Sequence, residues 1–304
     1  MQKQVSIIMA TYNRAHFIVE TLMSIQSQSH TNWECLIIDD GGTDNTQEVI
    51  TPILEKDTRF ISLKRPESYK KGLPGCRNFG LDNAKGDFII FFDDDDIIHP
   101  KNLEISLDTI EKNQVDYCHY RKKPFTLDKK PVIETSEVKK NCFLSKDKIF
   151  EVISNKIPIA SCTVLWNKKC FKNIRFNESL QYAEEWECYN RIISENYKGV
   201  SINNTLYYNR KHPNSNTGEF FKNNPVRKKS KADAIELVVK NLKERELLSD
   251  EIFFYMVNLS IKFSEYNVFQ RLIKIADFSY SKNIYYKTIY LKLSFKKKIK
   301  SILR

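Results

Sequence analysis

The stretch Phe88-Ile89-Ile90-Phe91-Phe92-Asp93-Asp94-Asp95-Asp96 decides the fold. Five apolar residues run straight into four carboxylates. A run this short reads as a buried strand, since a bilayer span needs about 20 apolar residues. Four adjacent carboxylates repel one another, and they stay ionised together most easily where a cation or a cluster of donors sits among them. Aspartates also supply the oxygen ligands that hard divalent ions take. On this stretch alone two readings are open: a solvated acidic turn, or the rim of a cation-dependent site.

Two other strand ends upstream carry polar clusters of the same kind. Val5-Ser6-Ile7-Ile8-Met9 has strand composition and leads into Ala10-Thr11-Tyr12-Asn13-Arg14. Phe17, Ile18, Thr21, Leu22 and Ile25 then recur at helical spacing. A second strand, Glu34 to Ile38, ends in Asp39-Asp40-Gly41-Gly42-Thr43-Asp44, where Asp44 and Gln47 form a capping box for a helix through Ile53. Phe60 to Leu63 is a short third strand. After a polar loop, Arg65 to Cys76, a helix over Arg77 to Ala84 stops at Gly86, and Pro100 opens another carrying Leu103, Leu107 and Ile110. Strand alternating with helix predicts an α/β fold, a parallel sheet with helices on both faces. Ligands of such sheets bind off the carboxyl ends of the strands, so the three clusters should meet in one crevice.

Neither the G-x-G-x-x-G fingerprint nor the G-x-x-x-x-G-K-[ST] phosphate loop is present in the sequence. The clusters suggest a different division of labour for a nucleotide. Tyr12 offers an aromatic face to a base, Asp40 accepts from a base or ribose, and Arg14 and Arg77 approach phosphates. Each also has a plainer reading: Tyr12 as a packed aromatic, Asp40 as a turn residue, Arg77 as a solvated helix residue.

Further on, Val115 to Tyr120 and Ile159 to Trp166 read as strands, the Lys-rich stretch Arg121 to Lys140 as a hairpin or surface loops, and Gly199 to Leu206 as a short strand before Tyr207-Tyr208-Asn209-Arg210-Lys211-His212. Glu184 and Glu185 precede a helical pattern, where the helix dipole favours their charged form. The last proline is Pro225 and the last glycine Gly218, so helices are expected beyond them, over Ala232 to Leu248 and Ile252 to Phe278.

Composition sets the outer bounds. An apolar fraction of 41% suffices for a core and excludes wholesale disorder. The net charge of +11 is concentrated at the end: residues 226–304 hold 18 Lys and Arg against 8 Asp and Glu. That placement argues against a nucleic-acid-binding chain, whose basic face would belong to the folded domain. Seven cysteines without C-x-x-C spacing argue against a disulfide framework and a zinc site, with Cys35 in the core. A strand-like start and the lack of a long apolar run give the expectation of a cytoplasmic protein.

The motifs resemble family 2 glycosyltransferases of the GT-A fold. The matching pieces are Val5 to Arg14, Ile38 to Asp44, Cys76-Arg77-Asn78-Phe79-Gly80-Leu81 with Gly86-Asp87, and Phe92 to Asp96 through His99-Pro100, in the family's order. The resemblance covers roughly residues 3–215. It implies a Rossmann-like, mostly parallel sheet flanked by helices, in a catalytic domain over 1–220 followed by a helical basic region over 221–304. It implies inverting transfer from a nucleotide-diphosphate sugar, in particular a UDP-sugar, to a saccharide acceptor, in assembly of a bacterial surface polysaccharide such as a capsule or O-antigen.

The resemblance also implies roles. Thr11, Tyr12, Arg14, Asp40, Arg77, Asp93 and Asp94 would surround the donor nucleotide. Asp95, with Asp93 and His212, would hold Mn²⁺ or Mg²⁺ in the manner of a D-x-D motif. Glu185 falls at the position of the catalytic base, beside Glu184, where the family more often has a Glu-Asp pair. For the basic tail two readings stand: a solvated helical face, or a peripheral anchor on the inner face of the plasma membrane, where lipid-carried acceptors reside. A rival from another class is a catalytically inactive sugar-nucleotide or glycan-binding protein docked at the membrane surface.

Overall fold

The computed structural model describes residues 3–134, 141–212, 216–262 and 266–302. In chain order the elements are β1 (Val5–Thr11), α1 (Ile18–Gln26), β2 (Trp33–Asp39), α2 (Thr46–Lys56), β3 (Phe60–Lys64), α3 (Leu73–Asn83), β4 (Phe88–Phe92), β5 (Ile97–Ile98), α4 (Asn102–Asn113), β6 (Tyr117–Thr126) and β7 (Asn141–Leu144). They continue with α5 (Ile149–Ile153), β8 (Val164–Asn167), α6 (Glu184–Ile193), β9 (Gly199–Lys211), α7 (Asn216–Phe221), α8 (Pro225–Glu244), α9 (Asp250–Lys262), α10 (Tyr266–Ala276) and α11 (Tyr280–Ile302). The strands form one sheet in the order β3-β2-β1-β4-β8-β6-β9-β5, with β7 pairing to β9. β3, β2, β1 and β4 run parallel. β8 is inserted antiparallel between β4 and β6, and β6 pairs parallel with β9.

Strand alternation sorts the core into two layers. On β1 and β4, Ile7, Met9, Ile90 and Phe92 face a cluster built with Ile18, Leu22 and Ile25 of α1 and Leu103 of α4. Ile8, Ile89 and Phe91 face the other way, onto Cys76 and Leu81 of α3. That second layer runs through Trp166 and Tyr189 to Ile235 of α8, Phe253 of α9, Phe269 of α10 and Tyr286 of α11. The basic C-terminal helices thus share a core with one face of the sheet.

The structure corrects several sequence expectations. Asp44 and Gln47 form no capping box: Asp44 accepts from the Thr46 backbone N–H at 3.0 Å and from Ala15 N–H at 3.1 Å, while Gln47 accepts from Ser62 Oγ at 2.9 Å. α3 begins four residues before Arg77, at Leu73, and ends at Asn83, with Ala84 extended after it, so Gly86 is not its stop. Gly80 on α3 instead permits close packing: an added Cβ would lie 2.4 Å from Ile8 Cγ2 of β1. β6 continues into the Lys-rich stretch as far as Thr126, and residues 135–140 of that stretch lie outside the described residues. Ser161–Thr163 form a single tight turn, so β8 starts only at Val164. β9 extends to Lys211 because β6, after a break in register, pairs with Tyr207 to Lys211. The pattern over Ile252 to Phe278 resolves into two helices, α9 and α10.

Candidate functional site

The carboxyl ends of β1, β2 and β4 open onto two adjoining cavities. The first, of about 460 Å³, is lined by Thr11, Tyr12, Arg14, Asp40 and Asp94, with Lys71, Gly72, Gln181 and Arg227. Its size is that of a small-molecule site, within the usual range of about 300–1,000 Å³. The second, of about 230 Å³, is lined by Arg77, Asp93, Asp94, Asp95, Asp96, Glu184, Glu185 and His212, with Lys122, Tyr182 and Arg210. Arg14 and Asp94 border both. All the site residues expected from sequence therefore meet in one crevice, although Glu184 lies 107 positions from Arg77.

Local geometry holds each in place. Asp39, the last residue of β2, accepts from the Gly41 and Gly42 N–H groups at 3.2 and 2.9 Å, which turns the chain there. Asp40 is mostly buried and accepts from Arg65 Nε at 2.5 Å and Gly72 N–H at 3.0 Å. Gly72 reaches it with φ +121°, a conformation that L side chains rarely adopt. An ionised carboxylate has about four acceptor sites, so Asp40 retains capacity towards the cavity. Tyr12 is 43% exposed at the mouth, with Lys71 Nζ 4.7 Å from its ring centroid.

The acidic cleft is electrostatically crowded. Arg14 Nε lies 3.4 Å from Asp94 and 3.8 Å from Asp95. Burial, with the Asp95 charge added, still pushes Asp94 up to about 7 against the pull of Arg14. Burial and the charges of Asp93 and Asp95 hold Asp96 well above the ordinary carboxylate range, although the Arg210 backbone N–H donates to it at 2.6 Å. Arg77 is only 4% exposed. It donates to Glu184 at 2.8 Å and lies 3.7 Å from Asp93. Arg77 is thus not a solvated helix residue: its guanidinium is held in a buried ion pair at the wall of the second cavity. Burial and the neighbouring Glu185 push Glu184 up to about 7, with Arg77 pulling the other way. Of the acidic pair, Glu184 is committed to Arg77, and Glu185 is the partly exposed member facing the cleft.

The donor set suits a hard divalent cation. His212 Nε2 and Asp95 Oδ2 lie 2.9 Å apart, and Asp93 lines the same cleft. Two carboxylates and an imidazole match Mn²⁺ or Mg²⁺, and a cation would relieve carboxyls that are otherwise pushed towards neutrality. Among the described residues, Asp93, Asp96 and Cys162 also bring ligand atoms within 4.8 Å of one another. Burial pushes the Cys162 thiol up, and Asp96 is engaged by Arg210, so that group is the poorer ligand set for such an ion.

Sequence reading missed Lys71, Lys122, Gln181, Arg210 and Arg227 as lining residues. Lys71 and Arg210 sit in polar runs already noted beside the motifs. Arg227 opens a helix in the basic region and carries no local signal.

A mixed α/β sheet with polar crevices off its parallel strand ends and a divalent-type donor set at the end of β4 defines a small-molecule-binding α/β fold. The chain belongs to Glycosyl transferase family 2, whose family profile matches residues 6–171. It is 33% identical to the Escherichia coli UDP-Glc:alpha-D-GlcNAc-diphosphoundecaprenol beta-1,3-glucosyltransferase WfaP, over 72% of this chain and 81% of that protein. It is 32% identical to an uncharacterized glycosyltransferase of Rickettsia conorii over 64% of this chain, and spans only 31% of that protein's length. Among solved structures, Staphylococcus aureus TarS 1–349 in complex with UDP-GlcNAc superposes with a TM-score of 0.65 at 19% identity, covering 90% of this chain and 79% of that one. The Pyrobaculum calidifontis mannosyltransferase PcManGT, in complex with GDP-Man and Mn²⁺, superposes with a TM-score of 0.55 at 14% identity, covering 98% and 88%. The architecture is that of GT-A glycosyltransferases, with a helical C-terminal region.

Proposed function

We propose that this chain is an inverting, metal-dependent glycosyltransferase. It moves a hexose from a UDP-sugar to a hydroxyl of a saccharide carried on a lipid diphosphate, in assembly of a bacterial surface polysaccharide. The observation that carries this reading is the meeting of Tyr12, Asp40, the Asp93–Asp96 run and Glu185 in one pair of adjoining cavities, in a chain of this family. The activity for which the E. coli relative is named supports the donor and acceptor classes.

In this mechanism Tyr12 and Asp40 bind the base and ribose in the first cavity. Asp93, Asp95 and His212 would hold Mn²⁺ or Mg²⁺, which when bound would supply Lewis-acid stabilisation of the departing diphosphate. Glu185 takes the proton from the acceptor hydroxyl as its oxygen bonds to the anomeric carbon and the bond to the diphosphate breaks. Glu184 is buried and engaged by Arg77, which leaves Glu185 as the carboxylate that the acceptor can reach. The test is UDP release from UDP-sugars with a diphospholipid-linked N-acetylhexosamine acceptor. Asp95→Ala should abolish metal-dependent UDP binding. Glu185→Gln should keep that binding and lose about 10²- to 10⁴-fold in turnover. Full turnover in Glu185→Gln overturns the base assignment.

Docking on an anionic membrane face fits the same reading. No helix among the described residues is long and apolar enough to cross a membrane. On α11, Tyr280, Ile284, Leu291 and Phe295 are exposed and recur on one stripe, opposite the face that buries Tyr286 and Tyr290. Lys287, Lys292 and Lys298 lie on or beside that stripe, each contributing about 1 kcal/mol near an anionic surface. The inner face of the plasma membrane, where lipid-carried acceptors are elongated, is the location this implies.

A further inference from the structure

Ser230 sits on α8, beyond the stretch that the family profile matches, and it is buried. Its Oγ accepts from the Gln181 and Tyr182 backbone N–H groups, each at 2.9 Å, and donates to the Tyr182 carbonyl at 2.7 Å. One turn earlier Arg227 donates to the Gln181 carbonyl. One residue later Lys231 sets its ammonium 3.6 Å from the ring centroid of Trp186, which follows Glu185 on α6.

The segment these residues hold is strategically placed. Gln181 lines the first cavity and Tyr182 the second. Ala183 follows with φ +63°, a conformation that a residue with a Cβ keeps only where its surroundings over-determine it. Glu184 and Glu185 come next, as the first turn of α6. The polar backbone groups that fix the entry to this helix are therefore satisfied from α8.

We propose that Ser230 is a positioning residue for glycosyl transfer: with Arg227 and Lys231 it fixes residues 181–183, and through them the carboxylate of Glu185 relative to the donor cavity. This inference rests on the transferase reading above. The physical reason is that proton transfer needs hydrogen-bond reach, and a misplacement of about 1 Å costs on the order of 100-fold in rate. Donor binding rests chiefly on Tyr12, Asp40 and the β4 carboxylates, none of which Ser230 touches; of the donor cavity it holds only the backbone of Gln181. Loss of its hydroxyl should therefore act far more on kcat than on binding.

The experiment uses the full chain, with UDP release as the rate and Mn²⁺-dependent UDP affinity as the binding readout. In Ser230→Ala, kcat should fall about 10- to 100-fold while UDP affinity and donor KM change by less than about threefold; the unfolding midpoint should drop modestly, since two buried backbone N–H groups lose their acceptor, with the chain still folded under assay conditions. Ser230→Thr, which keeps a hydroxyl, should recover most of that loss. Lys231→Met leaves the hydrogen bonds in place and should give a smaller loss, restored in Lys231→Arg. A kcat in Ser230→Ala within about twofold of the native value overturns the inference, and so does a UDP affinity that falls as far as kcat and is not rescued by Thr. A native chain that releases no UDP from any donor overturns the transferase reading first, and this inference with it.

Discussion

Replacing Arg77 by Met removes the cation from the centre of the acidic cleft. Arg77 donates to Glu184 at 2.8 Å, with the two side chains 5% and 6% exposed. Met fills much of the volume of the aliphatic stem but leaves Glu184 buried without its counter-charge, and Asp93 loses a cation at 3.7 Å. Removing one partner of a buried pair costs about 3–5 kcal/mol, against about 0–1 for an exposed pair. The pH dependence follows from Glu184, already pushed from 4.5 up to about 7 with Arg77 present. A carboxyl whose folded-state pKa is raised binds its proton in the folded state first, so its contribution to stability falls as pH rises from 4.5 through about 7. Without Arg77 the carboxyl moves higher still, and the cost of Arg77→Met should be smaller at about pH 6 than at about pH 8. Glu184→Gln in the same background removes the stranded charge and should recover most of the loss. Urea unfolding of the native chain, both single variants and the double variant, at the two pH values, closes the cycle. A cost for Arg77→Met below about 1 kcal/mol at both pH values, or additive costs in the double variant, refutes the buried pair.

Three further outcomes are expected. Burial holds His119 down to about 4 from 6.5, so the unfolded chain binds its proton first as pH falls; stability should drop by up to about 3 kcal/mol between about pH 6.5 and 4, and His119→Gln should lose that part of the slope in urea titrations. Gly80→Ala should destabilise by about 1–3 kcal/mol by forcing α3 away from Ile8, whereas helix propensity alone would make it stabilising by about 1 kcal/mol, so the sign of the urea midpoint shift decides between packing and propensity. Phe295→Glu with Leu291→Glu should abolish co-sedimentation with phosphatidylglycerol vesicles and leave UDP release from a soluble acceptor unchanged; equal vesicle binding by native and variant chains refutes docking through α11.

The parallel half of the fold was legible because its signals are local. Strands β1, β2 and β4 are apolar runs that end in turn-forming and acidic residues, and α1 and α4 repeat their apolar residues at helical spacing. Those patterns, with the order of the polar clusters, sufficed to place Thr11, Tyr12, Asp40 and the Asp93–Asp96 run on one edge of a sheet. What the sequence determined by itself was which residues stand at the strand ends. Which of them touch was decided by tertiary structure. The Arg77–Glu184 pair, the bonds of Arg65 and Gly72 to Asp40, and the grip of Ser230 on Gln181 and Tyr182 join segments whose separation no periodicity encodes. β9 outruns its local propensity because β6 offers it a partner, and Asp44 abandons a capping box because Thr46 and Ala15 offer it better-placed donors. A side chain's neighbours across the sheet follow from how the chain winds and packs, and that depends on burying apolar surface over the whole molecule at once.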